Sequence, residues 1–396
     1  MQSMRGILLN ILKVAAVMLV LAVAAALIFG PAQIDDHLNK VMPVAAEHAP
    51  SERAKKLHAS LLIVDLHADS LLWNRDLLSR NSRGHADIPR LIEGNVALQA
   101  FTIVTKVPRE MNIHSNSGET DDITALAILG MWPPQTWNSL RERALYQCAK
   151  LDDAAARSDG KFTIIKSLED LDGYLKRRET NPSITAGFLG VEGAHCLEGN
   201  LENVDVFFDH GIGMMAPSHF FDSDMGGSAH GSSKGGLTAK GKEMVKRMQA
   251  KNMIVDLAHA SPAVIEDTLA IASRPVVVSH TGVKGTCDND RNLSDRQLIG
   301  IAKTGGVIGI GYWSTAVCGE DATAIAKAIR YTADLVGVDH VALGSDFDGA
   351  VTMPFDASQL ILITDALIEQ RFSDDEIRKV MGGNAMRVLR ETLPNR

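Results

Sequence analysis

The chain has 396 residues, of which 45% are hydrophobic and 22% charged, values that exclude a largely disordered chain. Its 33 glycines and four cysteines exclude a collagen-like chain and a disulfide-dense scaffold. Forty basic against 48 acidic side chains give a net charge of −8, the wrong sign for a general nucleic-acid binder, and no nucleic-acid partner is expected.

In chain order, the first element is a dense apolar block. Val14 to Phe29 carries no charge, and Lys13 is the one charge between Gly6 and Ile34. A run of this length can cross a hydrocarbon core of about 30 Å. Arg5 and Lys13 precede it and Asp35 and Asp36 follow it, so the positive-inside rule predicts that the roughly 360 residues beyond are exported. Gly30-Pro31-Ala32 offers small residues at a cleavage position, but the central proline disfavours cleavage, and an uncleaved anchor is the preferred reading. The expected organisation is an anchor or signal segment over 1–32, a polar stalk over 33–54 and one domain over 55–396.

Eight short apolar runs follow, most of them ending in a polar or acidic residue. They are LLIVDLHAD (61–69), VALQAFTIV (96–104), ITAGFLGVEG (184–193), GIGMMAPSH (211–219), MIVDLAH (253–259), PVVVSH (275–280), GGVIGIGYW (305–313) and HVALGSD (340–346). Segments of helical character separate most of them, among them SPAVIEDTLAIAS with Ser261 as N-cap and Pro262 at its first position. Alternation of buried strands with helices predicts a parallel α/β fold, and eight units predict a (β/α)8 barrel. An open doubly wound sheet would carry a glycine-rich turn after the first strand, where this chain has His-Ala-Asp. The 105–183 interval exceeds one helix and reads as an elaborated connection over the barrel mouth. Ser373 and Glu376 form a capping box that starts a helix near the C-terminus.

Barrel active sites form at the C-terminal ends of strands, where this chain places its histidines and acids. His67 and Asp69 end the first run, and a period of two puts them on one face. Glu192 ends the third run, His219 the fourth, His259 the fifth, His280 the sixth and Asp346 the eighth. A single histidine at a strand end is more often a hydrogen-bonded structural residue than a ligand. Asp346 in GSDFDG reads equally well as a turn former. The joint occurrence points to a metal site, because buried charges need a partner or a metal. Imidazole with carboxylate and no thiolate suits zinc and other borderline divalent ions. His67, Asp69, Glu192, His259 and His280 would make two sites if Glu192 bridged them, with the metals about 3.5–4 Å apart.

VDLHAD, GVEGAH, SHFFDSDMGGSAHG, VDLAHAS, VVSHTGVKGTCDNDRNLSD and GSDFDG, in that order across residues 55–392, resemble the renal or membrane dipeptidase family, the dinuclear zinc peptidases M19. The resemblance implies that His67 and Asp69 hold one zinc, His259 and His280 a second, and Glu192 bridges them. It implies that His219 stabilises the oxyanion, that Arg291 contacts the substrate carboxylate, and that Asp346 is the acid/base or the partner of the substrate amine. It further implies a disulfide between Cys287 and Cys318. One departure concerns a tyrosine of the carboxylate pocket in animal members, with which Tyr312 does not align. A second concerns anchoring, which is C-terminal in the animal enzymes and N-terminal here.

The expected function is a zinc-dependent dipeptidase that works through a hydroxide held between two metals and accepts dipeptides ending in a D-residue. Its expected partners are dipeptides and, through the N-terminal segment, a membrane; a homodimer is left open. The expected location is a bacterial-type inner membrane with a periplasmic catalytic domain, or secretion if 1–32 is removed. Two other readings stay open on the residues. One is a barrel hydrolase of the amidase or deaminase class, which commonly begins with His-x-His, so that Asp69 counts against it. The other is a tethered binding protein without catalysis, which predicts lost ligands, although every expected ligand is present.

Overall fold

Runs of β-branched and aliphatic residues form short strands buried on both faces, as a sheet covered by helices requires. The computed structural model describes residues 2–43 and 49–395, and nine strands lie among them. They are β1 (Ile63–Ala68), β2 (Val96–Val104), β3 (Phe162–Ile164), β4 (Thr185–Glu192), β5 (Ile212–Met215), β6 (Ile254–Val255), β7 (Val277–Thr281), β8 (Val307–Ile310) and β9 (Val341–Leu343). All eight expected strands form. They pair in the order β6-β5-β4-β2-β1-β9-β8-β7, every pair parallel. A parallel bridge between Asp256 and Val277 joins the two open ends, with Leu257 N donating to Val277 O at 2.8 Å. The ring is thus the expected (β/α)8 barrel. β3 was not anticipated. It pairs with Thr185–Gly187 of β4, while β5 pairs with Leu189–Val191 further along.

Two helices begin where their caps predict. The Ser261 hydroxyl accepts from Val264 N at 3.0 Å and starts helix Pro262–Ile271. Ser139 caps Leu140–Arg157 within the long connection, and Ser373 with Glu376 closes its capping box. On β1, alternate residues face opposite ways. Val64 and Leu66 pack outward with Ala385 and Leu389 of the C-terminal helix. Asp65 and His67 point into the barrel, where Gln99 Nε2 and Ser345 Oγ each donate to Asp65 at 2.8 Å.

The N-terminal element is a single helix, Gln2–Leu38, with Pro31 inside it. Residues 6–29 are almost wholly exposed, and the helix is long and apolar enough to cross a membrane. Part of the stretch expected as a stalk packs against the barrel. Asp35 is fully buried, with Arg75 Nε at 3.0 Å and Arg83 Nε at 2.9 Å. Arg75 Nη2 lies 2.8 Å from Asp348, two residues beyond Asp346. Met353 N donates to Lys40 O at 2.9 Å and Met42 N to Met353 O at 2.8 Å. Residues 44–48 of the expected stalk lie outside the described residues.

Arg75 is buried between two buried carboxylates, so removing it strands both charges. Arg75→Met should lower the free energy of unfolding by about 3–5 kcal/mol. A denaturation midpoint equal to that of the parent chain would show that the network contributes little.

Candidate metal centre

The expected ligands meet around one carboxylate. Glu192 is the last residue of β4, and Gly193 after it takes φ 93°, a left-handed conformation. A Cβ on Gly193 would stand 2.5 Å from the His195 ring, so the turn that aims Glu192 requires glycine. Glu192 Oε1 lies 3.0 Å from His259 Nε2, 3.3 Å from His280 Nε2 and 3.6 Å from His67 Nε2. Glu192 Oε2 lies 3.2 Å from His219 Nε2. Asp69 Oδ1 is 3.5 Å and Asp346 Oδ1 4.0 Å from His67 Nε2. Seven of the sequence-predicted residues thus converge, all of them buried.

His67, Glu192 and His280 sit inside strands, whereas Asp69, His219, His259 and Asp346 sit in the loops that follow. His259 has φ 60° and Asp346 φ 65°, conformations that cost a non-glycine residue about 1–2 kcal/mol. Such strain persists only where the surroundings fix it, and it gathers at functional sites. Gly349 makes room for Asp346, since a Cβ there would lie 2.0 Å from its Oδ1.

Arg291, the eighth predicted residue, is buried beside the cluster. Its Nη2 donates to His280 O at 3.0 Å, and its guanidinium lies 5.3 Å over the Trp313 ring. A disulfide between Cys287 and Cys318 joins its loop to the loop after β8. Asn292 Nδ2 ties the same loops by donating to Ala316 O at 2.9 Å. Tyr312 is buried with its hydroxyl 3.4 Å from Asp65, and it does not line the cavity above the cluster.

Burial pushes the pKa of His259 and His280 well down, with nearby Arg291 and neighbouring imidazoles adding to the effect. His219 is depressed by burial and by His195 and His230. His67 goes the other way. Burial opposes its charge, but Glu192 and Asp69 raise its pKa well above the usual value. Burial pushes Glu192 up to about 7, against the pull of His67, and Asp69 adds to the rise. Burial also raises Asp346 well above the carboxylate range, again with His67 opposing and Asp69 adding. Three buried carboxylates face one buried guanidinium and the His67 imidazole, so the cluster is short of cationic charge.

A divalent metal fits this shortage. His67 Nε2 and Glu192 Oε1 are buried with no hydrogen-bond partner among the described residues. His259 Nε2 and His280 Nε2 face each other at 2.9 Å, an arrangement that suits two lone pairs turned toward a shared cation. Ser279 Oγ lies 3.0 Å from Nδ1 of both His67 and His280. If it accepts from both, each Nε2 keeps its lone pair for the centre, as ligating histidines require. Thr102 Oγ1 donates to Asp69 Oδ1 at 2.6 Å and orients that carboxylate. Imidazole and carboxylate donors without thiolate suit zinc and related ions.

Ser279, Thr102 and His230 were not singled out from the sequence. His230 stacks on Phe220, its ring lies 5.2 Å from that of His259, and its Nδ1 is 2.7 Å from Ile113 O. Above the cluster opens a cavity of about 640 Å³. Asp69, Glu192, His219, Arg291 and Asp346 reach its base, and the long connection after β2 supplies much of its wall through Val107, Ile123 and Leu126.

A closed parallel barrel with imidazoles and carboxylates gathered at the C-terminal ends of its strands defines a metal-dependent hydrolase. The chain belongs to the membrane dipeptidase family, peptidase family M19, whose model matches residues 51–395. It resembles Dipeptidase tcpJ of Claviceps purpurea, 26% identical over 325 residues that cover 79% of this chain and 70% of that one. An uncharacterized dipeptidase of Schizosaccharomyces pombe is 26% identical over 362 residues, 87% of this chain and 84% of that one. Among solved structures, a metallopeptidase of Rhodobacter sphaeroides with a phosphinate mimic of L-Ala-D-Ala has the same fold, at TM-score 0.68, 22% identity, and coverage of 84% and 99%. The probable dipeptidase PvdM of Pseudomonas aeruginosa matches at TM-score 0.72 and 22% identity, covering 86% and 98%. The protein is accordingly a metallopeptidase of the dipeptidase class.

His230 offers a pH test beside the centre. Burial, then Arg291, lowers its pKa to about 4. The unfolded chain takes up this proton near pH 6.5, while the folded protein resists it down to about pH 4. Stability is therefore lost as pH falls through that window, by roughly 2 kcal/mol at pH 5 from this residue. His230→Gln should remove that share of the loss between pH 7 and pH 5. Equal losses in the parent and variant chains, read from denaturation midpoints, would contradict the depressed pKa.

Proposed function

We propose that the protein is a dinuclear zinc dipeptidase tethered by its N-terminal helix, with the barrel on the exported side of the membrane. The observation that carries this reading is the Glu192 carboxylate within 3.6 Å of four imidazole nitrogens. His67, Asp69 and Glu192 would hold one ion, and His259, His280 and Glu192 the other. When bound, the ions supply a water that ionises near neutral pH and a Lewis acid for the scissile carbonyl.

The side chains do the rest. Arg291 binds the substrate carboxylate with its fork of donors. His219, kept neutral by burial, carries a proton at Nε2 through which it hydrogen-bonds the carbonyl oxygen as negative charge develops there. Asp346, whose burial favours the protonated form, passes a proton to the departing amine nitrogen. A peptide extended at its C-terminal end would leave Arg291 without its carboxylate, which confines cleavage to the C-terminal bond. The solved relative with its L-Ala-D-Ala mimic supports including dipeptides that end in a D-residue. Arg5 and Lys13 ahead of the apolar helix support the exported orientation.

Purified full-length protein should contain about two zinc ions and cleave members of a panel of L-L and L-D dipeptides. Glu192→Gln should lower kcat/KM by more than about a hundredfold, beyond the usual effect of a residue that only orients a ligand. Undiminished hydrolysis in that variant would remove Glu192 from the bridging position, and a zinc-loaded protein inert to the whole panel would overturn the dipeptidase reading. Ser279→Ala should weaken zinc retention about 10–100-fold in a chelator competition, because His67 and His280 would lose a shared orienting partner. Unchanged retention would mean that other contacts fix both rings.

A further inference from the structure

The membrane helix does not end short of the barrel. Ile34 and Leu38, one turn apart on it, both line the cavity above the metal centre. Ile34 packs with Leu72, Trp73, Val104 and Ile123 in a cluster of its own beside the main core. The segment is fixed on the side that carries Asp346. Asp35 pairs with Arg75, which pairs in turn with Asp348. Asn39 Oδ1 accepts from Ala350 N at 2.9 Å, and Val41 bridges to Met353. Gly349, Ala350 and Val351 of this same loop also line the cavity.

We propose that Ile34 and Leu38 determine substrate specificity, forming an apolar wall for the side chain of the dipeptide's N-terminal residue. This rests on the dipeptidase reading given above. Arg291 lies beyond β7, whereas Leu72 and Trp73, members of the cluster against which Ile34 packs, lie beyond β1, three strands away round the ring. A dipeptide whose carboxylate is held by Arg291 directs its other end toward this wall. The wall is apolar throughout, with Ile34, Leu38, Leu72, Trp73, Leu126 and Val351, and therefore prefers large apolar side chains. The juxtamembrane segment is by this account part of the enzyme's binding site as well as its tether.

The test uses the full chain in detergent or lipid, with Ile34→Ala and Leu38→Ala singly and together. Phe-Ala and Leu-Ala are compared with Ala-Phe, Ala-Leu and Ala-Ala. The double variant should lose about tenfold or more in kcat/KM for Phe-Ala relative to Ala-Ala, the scale on which a hydrophobic pocket discriminates, while Ala-Phe follows Ala-Ala. An unchanged ratio, an equal loss on all substrates, or a selective loss on Ala-Phe would overturn the proposal. A second readout does not depend on turnover. Leu38→Cys should be protected from maleimide by a phosphinate mimic of Phe-Ala and less so by one of Ala-Ala; equal labelling with either mimic would overturn the wall. If the parent chain cleaves no dipeptide, the dipeptidase reading fails, and the labelling result alone decides the wall.

Discussion

One buried carboxylate organises the upper end of the barrel. Glu192 sits almost fully buried among His67, His219, His259 and His280, so its charge must be met by cations or by a proton. The histidines do not supply enough charge, because burial keeps three of the four neutral. A metal resolves the conflict, and the surrounding polar contacts make sense as the frame that keeps the donors in place. Asp65 shows how deep this frame runs. It accepts from Gln99 of β2, from Ser345 after β9 and from His67 N on its own strand, so three neighbouring strands are tied beneath the ligands.

The Asp346 loop needs a different kind of support. It holds three non-glycine residues, Asp346, Asp348 and Ala350, at positive φ, a backbone that would relax if it were free. Asp348 prevents this. It accepts from Ser70 Oγ and from His85 N, and it meets Arg75. The chain from Arg75 to Asp35 then carries the support into the N-terminal helix. The helix's apolar length and its buried acidic end thus serve different purposes in one element.

Much of this was legible in the sequence, and the physical reason is periodicity. His67 and Asp69 stand two residues apart at the end of an apolar run, and buried strands leave no other room for charge, so ligands announce themselves. The cap of helix Pro262–Ile271 was legible for a similar reason, since a lone serine before an apolar pattern has few other roles. What was not legible depended on contacts distant in sequence or on irregular backbone. Ser279 precedes His280 directly, and strand alternation would turn it to the opposite face. The pairing of β7 with β8 slips between Val278 and Thr281, and the irregularity lets both side chains reach the centre. β3 is three residues long, too short for any alternation to register. Residues 34–43 read as a polar stalk because their partners, Arg75, Arg83, Ala350 and Met353, lie 40 to more than 300 positions away.

The two sides of the cavity are braced by different chemistry, and the difference bears on where the enzyme works. The Arg291 loop is held covalently by Cys287–Cys318, and the Asp346 loop is held by ion pairs to the N-terminal helix. A disulfide persists in an oxidising compartment and is rare in a reducing one. The other two cysteines, Cys148 and Cys196, are buried, and burial raises both thiols, Cys148 to about 12, which leaves them inert to exchange with the bridge. The covalent brace therefore supports the same side of the membrane as Arg5 and Lys13 ahead of the apolar helix do by the positive-inside rule. One feature concerns redox chemistry at the barrel mouth and the other concerns charge at the far end of the helix. Their agreement is a stronger argument for the proposed exported location than either alone.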